Sequence, residues 1–210
     1  MAINNNSTPS VRLASVITTT GTWLAPANTS AAFVSIHGAT GGGGGNGGGN
    51  RYSPARISAA GGPGIVSGSW VQIIPGQTYT VTIGAAGNGG SAGQSFPAQQ
   101  QNGTDGATGG TTSFENTTVF RVTGSAGGQG GGRYVPTPAI GSVGTAAGLT
   151  ALSSLSPFAG ATPKTGTIST QQTGGFAGGA AAPVPVEGSR YGQNITGPGA
   201  GNAGAVYIYI

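Results

Sequence analysis

The chain contains no cysteine, three acidic residues, one histidine and one methionine in 210 residues. Without cysteine there is neither a disulfide framework nor a thiolate metal site. Asp105, Glu115 and Glu187 lie far apart in sequence and His37 is the sole imidazole. A Ser/His/Asp set therefore has no motif spacing behind it. No enzyme activity, metal site or cofactor is expected, and a structural role is expected for His37. Charged residues make up 5% of the chain, against about 25% in ordinary proteins. The seven basic residues are scattered and the net charge is +4. Nucleic-acid binding, which calls for a basic stripe, is not expected. No apolar run is long enough to span a membrane, and "MAINNNSTPSVRLASV" lacks the apolar region of a secretory signal. Helical amphipathicity is missing as well. The Ala/Leu/Ser segment Ala146–Leu155 is the sole candidate, for one or two turns.

What the chain has instead is glycine, 45 residues of it, with 13 prolines. Such a composition signals disorder when it has no period. Here it has one. In Ala31–His37 apolar residues alternate, the pattern of a half-buried strand. From Gly38 the step changes to three, through Gly41, Gly44 and Gly47. The same step recurs at Gly84, Gly87, Gly90 and Gly93, at Gly103, Gly106 and Gly109, and at Gly124, Gly127 and Gly130. Three residues per turn is the repeat of polyproline II, which has no internal hydrogen bonds. Glycine along such a helix lets neighbouring backbones approach and pair with one another. Flexible linkers have no reason to hold this phase. Collagen is excluded, because its glycine period must run unbroken and each tract here stops after a few triplets.

In chain order, residues 1–11 read as a polar arm and 12–210 as one glycine-rich domain. Strands are expected at Arg12–Thr19, Thr22–Leu24 and Ala31–His37. Ile65–Ile73 and Thr78–Gly84 are expected as a hairpin turned at Pro75-Gly76, since Pro-Gly is strong turn chemistry. Thr111–Phe114 and Thr118–Gly124 form a further expected pair, and "AGAVYIYI" a C-terminal strand. The β base thus falls in 12–37, 65–83, 111–123 and 205–210. The tracts fall in 38–49, 84–93, 103–110, 124–132, 141–144, 175–179 and 197–204, with Gly61 and Gly64 suggesting another. Strands feed tracts directly, so the tracts should grow out of the base. Trp23 and Trp70 belong to expected strands and read as core. "GGGGGNGGG" contains a dinucleotide-type glycine spacing, but "NRYSPARI" after it does not read as a helix.

"TTTGTWLAPANTSAAFVSIHGATGGGGG", "PGQTYTVTIGAAGNGG" and "GGTTSF" together resemble the glycine-rich domain of bacteriophage tail fibres and related virion proteins. The matching positions are Gly21-Thr22-Trp23, Pro26, Phe33–Gly45, Pro75-Gly76-Gln77, Tyr79, Val81 and Ile83-Gly84, within roughly 18–125. The chain is similar in fold pattern to the glycine-rich module of anaplastic lymphoma kinase receptors, although that module has cysteines. It is also similar to the tip adhesins of T-even-like phages, which stack glycine helices and vary the loops between them. The resemblance implies an all-β protein, a small jelly-roll-like β-sandwich with an inserted bundle of polyglycine II helices. It implies a virion location, synthesis in the host cytoplasm, other tail proteins as neighbours and a homotrimer, with Tyr207 and Tyr209 as a contact. The implied partner is a bacterial surface glycan or outer-membrane protein.

Side chains suited to such a partner lie between the tracts. Arg-Tyr occurs three times, as Arg51-Tyr52, Arg133-Tyr134 and Arg190-Tyr191, each beside a glycine segment. Tyrosine offers a stacking face, and arginine a planar fork for carboxylate or phosphate. Phe96 and Phe158 extend the candidate contact set. The bland alternative is that tyrosine caps the bundle while arginine bonds its open carbonyls. The leading expectation is a tail-fibre or tail-tip adhesin without covalent chemistry. The alternatives are a purely structural tail subunit and an ice-binding type of glycine-helix protein, which calls for a flat face of small residues.

Overall fold

The alternation at 31–37 forms the strand Ala31–His37 (β3) of a computed structural model that describes residues 12–46, 59–62, 64, 66–93, 102–116, 119–122, 146–147 and 199–210. Ala32, Val34 and Ile36 are fully buried, and the residues between them are half-buried. Around β3 lie Leu13–Ile17 (β1), Val66–Gln72 (β4) and Ala205–Tyr209 (β9), in the order β1-β9-β3-β4. A second sheet holds Gly21–Leu24 (β2), Thr78–Thr82 (β5), Thr112–Glu115 (β6), Val119–Val122 (β7) and Ala146–Ala147 (β8), in the order β2-β5-β6-β7-β8. Every paired strand is antiparallel, and the described residues include no helix. The protein is all-β across the described residues.

The inner faces of the two sheets share one apolar core. The first sheet supplies Val34, Ile36, Val71, Val206 and Ile208; the second supplies Trp23, Tyr79, Val81 and Phe114. Tyr79 and Phe114 stack with centroids 4.9 Å apart, and Trp23 tilts against both. Trp23 is therefore core. Trp70 is not part of this core. It stands opposite Phe33 on the outward face of the four-stranded sheet, half-buried and edge-on to that ring.

Pro75-Gly76 makes a turn but not the expected hairpin. The Gln77 N–H donates to Ile74 O (3.1 Å), and Gly76 has φ +73°. Proline at the second position and a left-handed glycine at the third give a type II turn. A type II turn splays the strands it joins, whereas tight hairpins need the mirror-image types. The chain thus leaves β4, which pairs with β3, and enters β5, which pairs with β2 and β6. The crossing is clamped from the second sheet, where Ala25 O accepts from Gly76 N–H and Ala25 N–H donates to Gln77 O. The expected pairing of the strands around 112–115 and 119–122 is present. The Ala146–Leu155 expectation of helical turns gives way at its start, where Ala146 and Ala147 pair with β7 as strand. Its remainder lies outside the described residues.

Candidate functional site: the glycine segments and the loops they carry

Five described segments without strand assignment continue from the ends of the strands. Residues 38–46 and 84–93 run outward from β3 and β5; 59–64, 102–110 and 199–204 run inward towards β4, β6 and β9. Residues 38–46 are buried without a break and lie at the centre. Their N–H donors take three neighbours in rotation. Thr40 and Gly43 donate to Asn202 and Gly199, Gly41 and Gly44 to Gly62 and Ala59, and Gly42 and Gly45 to Ala107 and Thr104. A fourth neighbour uses the carbonyls, as Gly87, Gly90 and Gly93 donate to Thr40, Gly43 and Asn46. The outer segments also bond each other at the same step. Thr104, Ala107 and Gly110 donate to Ser91, Asn88 and Ala85, and Gly201 and Gly204 donate to Gly87 and Gly84. These contacts run from 2.7 to 3.2 Å.

The close approach leaves no space for side chains at the facing positions. A Cβ at Gly87 would collide with Ala107 O and come within 2.6 Å of Gly42 N. One at Gly106 would collide with Gly42 O and lie 2.7 Å from Gly43 O. Of the glycines singled out in the sequence, Gly38, Gly41 and Gly44 lie in the central segment and Gly84, Gly87, Gly90 and Gly93 in its parallel neighbour. Gly47, Gly124, Gly127 and Gly130 lie outside the described residues. In 84–93 the exposed positions are Ala85, Asn88 and Ser91, one in three.

Two threonines escaped the sequence reading. Thr40 is fully buried, and its Oγ1 accepts from Asn202 N–H while its carbonyl accepts from Gly87 N–H. Thr112 is fully buried on β6, and its Oγ1 accepts from Gly84 N–H (3.1 Å). Each supplies a short acceptor where strand geometry gives way to the three-residue step. The only sequence signal was a hydroxyl residue at a strand–glycine boundary.

The candidate contact residues Arg51, Tyr52, Phe96, Arg133, Tyr134, Phe158, Arg190 and Tyr191 all lie outside the described residues. Their anchor points do not. Gly93 donates to Asn46 O, Gly44 donates to Ala59 O, and Thr104 pairs with both Ser91 and Gly45. The ends of segments 47–58 and 94–101 are thus gathered at the end of the bundle remote from the sheets. His37 sits at the opposite end, half-buried against Tyr207 with centroids 4.7 Å apart. Burial holds its pKa below the usual histidine value.

No protein-family model and no curated protein matches this chain.

Proposed function

We propose that the five segments are three-fold polyglycine helices packed as a bundle on a jelly-roll-like sandwich, and that the chain is a phage tail-fibre or tail-tip subunit that binds the host surface. The observation that carries this reading is the three-residue step of the inter-segment hydrogen bonds, with donors rotating among three neighbours. A helix with three residues per turn and no internal bonds presents its amides in that way. At about 3.1 Å per residue, 38–46 extends about 25 Å from the sheets. Loops on such a support need not form a core of their own and are free to vary in sequence. Arg51, Tyr52 and Phe96 belong to segments anchored together at the remote end, and we assign the contact to them first. The mechanism is presentation, with no covalent step. The target is a bacterial surface glycan or outer-membrane protein, and the neighbours in the virion are other tail proteins.

The test is binding of the purified chain to host cells, with Tyr52→Ala, Tyr134→Ala and Tyr191→Ala compared by melting curve. A tyrosine at a binding hot spot costs about 2 kcal/mol or more when truncated, so roughly thirtyfold weaker binding at unchanged Tm is expected. Equal loss of stability in the tyrosine and glycine variants would make the pairs bundle caps. A second reading, a purely structural tail subunit, is favoured by the apolar outward face of the four-stranded sheet. A folded chain that binds no cell would select it. The ice-binding alternative is disfavoured by exposed Asn88, Asn102 and Asp105, which interrupt any run of small apolar residues.

A further inference from the structure

The two sheets differ on their outward faces. In the second sheet that face carries Thr22, Thr78, Thr80 and Thr82, all exposed, as expected for a sheet against water. In the first sheet the outward register positions carry Phe33 on β3, Trp70 on β4 and Tyr207 and Tyr209 on β9. At the β1 edge, Leu13 and Val16 are in register with Tyr209 and Tyr207 and are 50% and 48% exposed. Strands β1, β3, β4 and β9 contain no acidic or basic residue other than His37, whose burial favours the neutral form. Strands apolar on both sides read as buried on both sides.

The face is also organised in advance. Phe33 meets Trp70 at 76° and Tyr209 at 61°, with centroids 5.9 and 6.1 Å apart. Its ring lies over Gly68, where a Cβ would approach to 2.7 Å. Rings set edge to face give relief rather than the flat platform that suits a sugar ring. The occupant must be neutral and apolar, because a charged group brought here would lose its hydration without an ion pair. Four strands about 4.8 Å apart and some 20 Å long present about 400 Å² in projection. With side-chain relief, two such faces bury about 1,000 Å² together, enough for a weak specific dimer.

We propose that this face packs against the same face of a second copy of the chain about a two-fold axis. A single self-complementary surface gives a closed, isologous pair. Sedimentation of the full chain between about 1 and 100 μM, the range for an interface of this size, tests it. The expected result is a concentration-dependent mass of two chains. Leu13→Lys combined with Val16→Lys puts charge at a solvent-accessible edge that the fold tolerates. It should weaken the dimer at least tenfold with an unchanged circular dichroism spectrum, whereas Thr80→Lys on the other sheet should leave the dimer intact. A mass of one chain at 100 μM, as when the chain covers its own face, would overturn the proposal. So would a trimer, or a dimer indifferent to the paired lysines.

Discussion

Gly87 illustrates what a glycine does in this molecule. Its N–H donates to Thr40 O and its carbonyl accepts from Gly201 N–H, while its Cα faces Ala107 O across a gap too small for a methyl group. Gly87→Val must push the neighbours apart and strand buried groups, at about 1–3 kcal/mol each. For a chain of this size that lowers Tm by roughly 5–20 °C, measurable by calorimetry. Gly76 is a glycine for a different reason. Nothing lies within 4 Å of a Cβ there, but its φ is +73°. Gly76→Ala should cost about 1–2 kcal/mol, the conformational term alone, and Gly76→Asn less, since asparagine tolerates this region. His37 adds a pH dependence. Its folded pKa is lowered by burial, so the unfolded chain binds the proton more readily. Stability is therefore complete above the ordinary histidine value near 6.5 and declines as pH falls through it towards the folded pKa. Urea titrations across that window should show the decline, and His37→Phe should abolish it.

At the scale of the element, strands and glycine segments satisfy their backbones in different ways. The strands use ladders within sheets, while the segments bond outward to three or four neighbours. Such a segment has no stability alone and gains it only when surrounded. The central segment 38–46, buried at every position, should have the slowest-exchanging amides outside the sheets. Hydrogen exchange should show Gly42, Gly45, Gly87 and Gly90 protected, and free exchange at all four would mean that the bundle does not persist in solution. The same element logic explains the hairpin that did not form. Pro-Gly signalled a turn in the sequence, but the turn type, set by φ at Gly76, sends β5 into the other sheet.

For the whole molecule, the alternation in β3, β5 and β9 and the three-residue step of glycine were legible because they are local periodicities. The strand limits and the paired β6 and β7 follow from them. Trp70 was misread because a tryptophan in an apolar strand carries no mark of which sheet face it occupies. Register against Phe33 decides that. The candidate contact residues were chosen by composition. What the tertiary structure adds for two of their segments is a common anchorage, with Asn46, Ala59, Gly93 and Asn102 brought to one end.

By itself the sequence determined that the chain is strand-rich, helix-poor and built on closely spaced backbones, since alternation and glycine phase are properties of neighbouring residues. Only the tertiary structure decided which segment is central, that Thr40 and Thr112 supply acceptors where strands become glycine segments, and that one sheet turns an aromatic face outward. Each of these depends on which distant segments become neighbours, a relation that shared-core packing and backbone pairing establish and that no local pattern encodes.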